Sequence, residues 1–589
     1  MKNRSVCITI FLIIAACYIL ATQFTWKGTD GKGYTHIIQS DGKGYYEYLP
    51  AVFIKKNISQ QTPDERFIFK TSNGSVNKYY AGTAVAMLPF FAAGYIKAGI
   101  SHDVQDGYSP PFQKAITFAG LFYLCIGLIF LSRLLMLYEI KQSIICATLL
   151  LTVFGTNLLM YAVYHPSFSH IYSFAFITMF LFYAKKFADT HITKYGLLLS
   201  LAFAMIIIIR PSNGIVIFTL PFLTGSAQAL KDFFSGFFKL KTLIISAIAF
   251  SAIISIQLIL WHIQTSSFVM WSYQNEGFYF LHPQIFNVLF SFRKGWFLYT
   301  PLALLSLGGL VFIYRENKFR FYSIVFFLLL LIYITASWWC WYYGPSFGQR
   351  SFTEFYAVNA LLLATLISRI PYKKMVYGIA IVLAAFNLLQ SYQYVKEILS
   401  SWNMNAEKYS YVFLKTSPEY RSCLGGCDDM QPYSKTKTLL YDTTNDFEKT
   451  IANWSESSTK KTGDAHITVS DYTGKEYNTG LVLTADSATT TYRLLYAEIE
   501  LDYQENATTG NESPLMVIET KDMQNKTYQY YTFAINEIPN RISEWKKSVY
   551  TVEIPKIKSA GDRLNIYVWN KDHQSLLIDN FRIRLYKIN

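Results

Sequence analysis

The sequence predicts a polytopic α-helical membrane protein of about eleven transmembrane helices, followed by an extracytoplasmic β-sandwich of jelly-roll type. Three observations predict it. The chain of 589 residues is 52% hydrophobic with a mean hydropathy of +0.21, too apolar for a soluble enzyme of several domains. Its long apolar runs are confined to residues 1–400, and most reach the ~20 residues that cross a bilayer as helix. Residues 401–589 are polar instead, and from about 440 onward carry short alternating segments separated by turn residues.

The spans are expected at 5–24, 113–136, 142–163, 168–184, 195–210, 213–224, 242–262, 295–314, 320–338, 351–369 and 374–394. The run 213–224 is short enough for a half-crossing. The first run is long and lacks an Ala-x-Ala cleavage site, so it reads as a retained helix and not a signal peptide. Lys and Arg orient the set. One series of short connections holds Lys2 and Arg4, Arg133 and Lys141, Lys185, Lys186 and Lys194, Lys231, Lys239 and Lys241, Arg315, Lys318 and Arg320, and Arg369, Lys373 and Lys374. The alternate series holds only Arg210, Arg293, Lys294 and Arg350. The N-terminus is therefore expected in the cytoplasm and the C-terminal domain outside, in the periplasm of a bacterium whose inner membrane the chain crosses many times.

This distribution also explains the formal net charge of +14. The basic residues act as topology signals beside anionic headgroups and form no contiguous patch interleaved with stacking aromatics, which excludes nucleic acid as the partner. Of the seven cysteines, Cys7, Cys17, Cys125 and Cys146 lie in apolar runs as small hydrophobes, and Cys340 sits among tryptophans. Cys423 and Cys427 in Cys-Leu-Gly-Gly-Cys have no nearby His to complete a metal site. A local disulfide in the 401–440 linker is expected.

Candidate chemistry gathers on the outer side. The first outer loop, 25–112, is too long for a plain connector. It carries Asp41 ahead of an aromatic amphipathic stretch with Tyr45 and Tyr46, suited to the membrane interface, and then Lys78 before an apolar run containing Pro89. That second run reads as a juxtamembrane or re-entrant segment, because a full crossing would reverse every later loop against the Lys/Arg count. His165 and His170 flank a Pro-Ser-Phe-Ser turn; Arg210-Pro211 interrupts two short apolar runs, as where helices break around a membrane-level site. Arg293 and Lys294 open the next constellation. Trp338–Tyr343 leads into Gly344–Arg350, with Glu354 one turn on.

Each has a structural alternative. The tryptophans and tyrosines serve as interface anchors, the histidines as helix-end hydrogen bonders, Arg350 and Glu354 as an i,i+4 ion pair, and Asp41 as a turn residue before Gly. Their shared placement favours function, since ionisable groups at membrane depth are costly. Arginines are fixed cationic donors suited to phosphate. A phosphate held between helices at the outer surface describes a polyprenyl-phosphate sugar donor. A carboxylate opposite it is placed to deprotonate an acceptor hydroxyl.

On these residues the chain resembles the GT-C superfamily of membrane glycosyltransferases, in particular the bacterial protein O-mannosyltransferase and aminoarabinose transferase branch, over about residues 1–400. Asp41 with Tyr45 and Tyr46 is similar to the acidic motif of that family's first loop, Lys78 to Pro89 to its second juxtamembrane segment, and Gly344 to Glu354 to its late Gly-x-Arg…Glu signal. The acidic motif is Asp-Gly here, where the protein mannosyltransferases carry Asp-Glu. The resemblance implies an inverting transfer from a polyprenyl-phosphate sugar with Asp41 as base. Asp30 is the fallback, because Thr-Asp-Gly-Lys-Gly-Tyr there nearly duplicates Ser-Asp-Gly-Lys-Gly-Tyr at Asp41. By the same reading Arg210, Arg350, Arg293 and Lys294 bind the donor phosphate, while Lys78, Tyr45, Tyr46, His165, His170 and Glu354 position substrate. No cofactor is expected and no metal site is indicated, although the chemistry admits a divalent metal.

In the 441–589 domain, strands are expected near 466–469, 480–483, 493–501, 515–518, 528–533, 549–554, 564–568 and 581–586. The final segment resembles the last strand of carbohydrate-binding sandwiches. Trp454, Trp545 and Trp569 are candidate sugar-stacking residues, with core packing as their alternative. Other functions carry weaker signals. A transporter or flippase of lipid-linked glycans would show internal helix repeats and charges midway along helices. A polysaccharide polymerase or ligase would carry its large loop late in the chain. A mere membrane anchor would leave Asp41, Arg210 and Arg350 without a shared purpose.

Overall fold

The computed structural model describes the chain except residues 1–3, 29–31, 60–66, 72–73, 274–275, 422–423, 425–436, 463–465, 493, 506–513, 537–543 and 589. Asp30, Cys423 and Cys427 lie outside the described residues. The chain divides into a helical unit, Met1–Gln274 with Phe278–Val395, and a β unit, Lys396–Asn589 with the short stretch Asn275–Gly277.

Among the described residues eight helices are long and apolar enough to cross a membrane: Arg4–Trp26, Gly82–Ser101, Pro110–Leu137, His170–Thr190, Leu240–Thr265, Lys318–Ser337, Arg350–Arg369 and Lys373–Val395. Three shorter apolar helices, Gln142–Phe154, Thr193–Ile209 and Pro211–Thr224, complete the set. Leu240–Thr265 has only 11% of its apolar window buried and leaves Ile244, Ile248, Ile259 and Ile263 exposed. A helix with such an open apolar flank is stable against hydrocarbon, not water. The chain is a multi-pass membrane protein.

Two expected spans take a different form. The run 295–314 is not one helix. It breaks into Trp296–Tyr299, Pro301–Ser306 and Gly309–Glu316. Pro301 lacks the N–H a continuous helix needs, and Gly309 lies so close to Leu362 that a Cβ would sit 2.2 Å from its carbonyl oxygen. The run 142–163 stops at Phe154, and a separate wide turn forms at Met160–Tyr164.

Gly82–Ser101, expected as a juxtamembrane or re-entrant segment, has the length and apolarity of a crossing. The Tyr123 hydroxyl donates to the Ala86 carbonyl at 3.0 Å, Phe90 meets Phe122, and Phe91 meets Phe112. The helix therefore runs antiparallel along the first half of Pro110–Leu137.

Contacts sort the connections to two ends. At one end Ser5 meets Gln142, Arg369 pairs with Glu316 at 2.7 Å, Asn317 donates to the Gly225 carbonyl, and Arg320 lies over Tyr138. At the other, Thr25 donates to the Val163 carbonyl, Trp26 to Thr117, and Arg210 meets Glu354. The first end carries the dense Lys/Arg series and the second carries the sparse one.

In the β unit all strands pair antiparallel. One sheet runs in the order Lys546–Pro555, Leu494–Glu505, Leu576–Ile588, Thr468–Asp471, Thr459–Lys461, and Lys437–Asn445 also pairs with Leu576–Ile588. The second runs Gly480–Thr484, Arg563–Trp569, Leu515–Lys521, Thr527–Ala534. Strand alternation sends Ile499, Leu501, Tyr550 and Ile583 of the first sheet and Ile518, Leu564, Ile566 and Val568 of the second into one shared core, which makes the unit a β-sandwich. Lys437–Asn445 and Thr459–Lys461 were not among the expected strands. Both are largely exposed and lack the apolar alternation that reveals a strand.

Candidate functional site

At the sparse end of the helical unit, the first loop meets the breaks between helices. Asp41 opens the short helix Asp41–Tyr46, and two glycines let that helix approach its neighbours. A Cβ on Gly42 would lie 2.0 Å from Ser167 Oγ, and one on Gly44 2.5 Å from the Tyr79 ring. The Asp-Gly-Lys-Gly pattern is thus a packing requirement as well as a turn signal.

Docked this way, Asp41 Oδ2 accepts from Arg350 Nη2 at 2.6 Å, across 309 residues of sequence. Arg350 begins the tight 3₁₀ turn Arg350–Phe355, and its guanidinium lies 5.3 Å from the centre of the Phe168 ring. Asp41 keeps 26% of its side chain open. Burial pushes its carboxyl up, but the nearby Arg350 and Lys78 charges and hydrogen bonds from Tyr79 and Arg350 outweigh burial and hold it below its ordinary value.

A second constellation adjoins the first. Glu354 is 1% exposed, and its Oε1 is reached by Arg210 Nη1 at 2.7 Å and by His170 Nδ1 at 2.8 Å. Arg210 caps Thr193–Ile209 with extended backbone, φ −152° and ψ 108°, because Pro211 follows it. Arg350 and Glu354 do not pair with each other as an i,i+4 helical pair would. At about three residues per turn the 3₁₀ geometry rotates residue i+4 away, and each finds a partner from another part of the chain.

The remaining candidates sort by distance from this centre. The Tyr45 and Tyr79 rings meet tilted by 36° with centroids 4.3 Å apart, and Lys78 Nζ lies 5.3 Å from the Tyr273 ring centre. Arg293 lies over Tyr342 at 3.5 Å, and Lys294 donates to the Ser346 carbonyl. His165 Nε2 lies 3.1 Å from the Tyr394 hydroxyl. Burial and the charges of Arg350 and His170 push that imidazole down to about 3, so it is neutral. Tyr46 turns away: its hydroxyl donates to the Gly107 carbonyl at 2.6 Å and its ring meets Tyr108. Tyr79 and Phe168, next to Lys78 and His170 in kind and place, belong to the site without having been singled out. The only signal for them was adjacency to residues that were.

Lys78, Arg210, Arg293 and Arg350 outnumber Asp41 and Glu354, so this end of the helical unit suits an anion. Among the described residues no group of three or more His, Cys, Asp or Glu side chains gathers as metal ligands.

No family model and no curated relative matches the chain. Among solved structures it is similar to the arabinosyltransferase EmbB from Mycobacterium smegmatis, at 10% identity and a TM-score of 0.37, over 98% of this chain and 64% of that one. The chain thus spans less than two thirds of that protein's length. It is also similar to the CBM22-1 xylan-binding domain of Xyn10C from Paenibacillus barcinonensis, at 18% identity and a TM-score of 0.17, over 26% of this chain and 99% of that domain.

Proposed function

We propose that the protein is a membrane glycosyltransferase of the GT-C kind. It moves one sugar, with inversion, from a polyprenyl-phosphate donor to an acceptor hydroxyl at the outer face of a bacterial inner membrane. The observation that carries this reading is the Asp41–Arg350 pair: a partly open carboxylate and a guanidinium, brought together from opposite ends of the helical unit's sequence beside a second anchored arginine.

The pair suggests how the reaction is gated. With no donor, Arg350 keeps Asp41 a poor proton acceptor. A donor phosphate competes for that guanidinium, since arginine binds phosphate through the same donors that hold a carboxylate. Once Arg350 turns to the phosphate, burial dominates at Asp41 and its proton affinity rises. The acceptor oxygen then attacks the anomeric carbon while its proton passes to Asp41. The bond from that carbon to the phosphate oxygen breaks, its electrons leave with the polyprenyl phosphate, and Arg350 and Arg210 stabilise the charge that develops. Tyr45 and Tyr79 offer ring faces beside the reacting centre, and Arg293, buried over Tyr342, adds a further positive charge near the phosphate.

Transfer of radiolabelled sugar from polyprenyl-phosphate donors by the purified full chain tests the reading. Asp41→Asn and Arg350→Ala are each expected to cut transfer by about 10²–10⁴-fold while melting as cooperatively as wild type. A wild-type protein that transfers sugar from none of the donors overturns it, and flipping of lipid-linked glycans becomes the function to assay.

A further inference from the structure

The second sheet of the β unit has an outer face that the core does not use. Along Arg563–Trp569 burial alternates, with Leu564, Ile566 and Val568 turned inward and Asn565, Tyr567 and Trp569 turned outward. Register sets Tyr567 opposite Val517, and Asn565 opposite Glu519, which in turn faces Tyr530. Tyr530 is 49% exposed and Tyr477 53% exposed; the Tyr477 ring meets that of Tyr567 at 5.8 Å and 58°. Between these rings lies a sunken polar floor. Glu519, 5% exposed, accepts from Asn565 Nδ2 at 3.2 Å and pairs with Lys521 at 2.6 Å. Among the described residues, the buried Asn565 amide oxygen has no hydrogen-bond partner.

We propose that this tyrosine-lined face binds a polysaccharide strand. A sugar ring has an apolar C–H face and an edge of hydroxyls. Open tyrosine rings match the first, and a carboxylate with an unsatisfied amide oxygen between them matches the second. An apolar protein partner would find buried polar groups where it needs aliphatic ones, and a phosphate-rich partner would meet the Glu519 carboxylate. The face differs from the expected one. Trp454 is a core residue against Phe581, Trp545 is stacked on His466 at 3.9 Å, and Trp569 is held at the border of the face by a hydrogen bond to Glu476. The proposal stands on the β unit alone and does not rest on the transferase reading.

Affinity electrophoresis of the full chain in detergent, through gels cast with soluble mannan, arabinan or β-glucan, tests it. Wild type is expected to be retarded by at least one of the three. Tyr530→Ala and Tyr567→Ala are expected to weaken that retardation at least tenfold, and Ile467→Ala, an exposed apolar residue outside this face, to leave it unchanged. Tyr530 is half exposed on an edge strand, so its truncation leaves the core intact. Asp41→Asn should be retarded like wild type, so loss of transfer and loss of retention report separately. Free migration of wild type through all three gels, or tyrosine variants retarded as strongly as wild type, overturns the proposal.

Discussion

Asp41 and Glu354 are both carboxylates held by an arginine from a distant part of the chain, yet they lie in different surroundings. Asp41 is a quarter open and meets one guanidinium. Glu354 is closed to solvent and is held by both Arg210 and His170. A partly open carboxylate can exchange a partner for substrate. A closed one, held by a guanidinium and an imidazole, fixes its partners' positions. The first arrangement suits chemistry, the second architecture, and the contrast assigns Glu354 the task of holding Arg210 in place.

The contrast breaks most readily at Glu354. Glu354→Gln removes the charge without changing the volume and leaves Arg210 uncompensated, at an expected cost of about 3–5 kcal/mol in stability. Asp41→Asn also leaves a buried guanidinium, Arg350, without its carboxylate, but Asp41 is a quarter open to water, so the variant should cost less stability than Glu354→Gln while abolishing transfer. Thermal unfolding of both variants in the same nanodiscs checks this, and the reverse order would exchange the two roles.

A carboxylate in the β unit sharpens the comparison. Glu505 is 3% exposed and, among the described residues, has no cation bonded to it; burial raises it from 4.5 to about 7, with only partial relief from Lys546 and a hydrogen bond from Asn536. Its folded pKa lies above the unfolded one, so the native state binds the proton more tightly. The associated stability is full below about pH 4.5, is lost as pH rises to about 7, and amounts to roughly 3 kcal/mol. Glu505→Gln should flatten that dependence, as read from unfolding of the β unit within the full chain between pH 5 and 8. The smallest effect belongs to Tyr46. Tyr46→Phe loses one hydrogen bond to the Gly107 carbonyl, about 1 kcal/mol, and should leave transfer intact.

What could be read in the sequence follows from the range of each signal. The strands at Gly480–Thr484 and Arg563–Trp569 announced themselves by apolar alternation, a local property, and Arg210-Pro211 announced a helix end by a local backbone restriction. Lys437–Asn445 gave no such signal because its side chains are mostly in solvent. The break in 295–314 depends on Gly309 meeting the backbone at Leu362, which only tertiary packing creates. The same limit applied at the site. Arg350 and Glu354 could be selected from position and charge, and Asp41 could be expected opposite the arginines, but the pairing of Glu354 with Arg210 could not, because helical spacing offered Arg350 as its partner. The actual partners, Asp41 and Arg210, come from remote segments.

The contact between Gly42 and Ser167 ties two distant positions into one inherited unit. Replacing Asp-Gly with the Asp-Glu of the protein mannosyltransferases would drive a Cβ into Ser167, displacing the helix that carries Asp41. The exchange becomes tolerable only if the side chain at 167 shrinks as well. Positions 42 and 167 are therefore coupled in this chain: Gly42→Ala alone should disturb the docking of Asp41–Tyr46, and Ser167→Gly alongside it should relieve the clash.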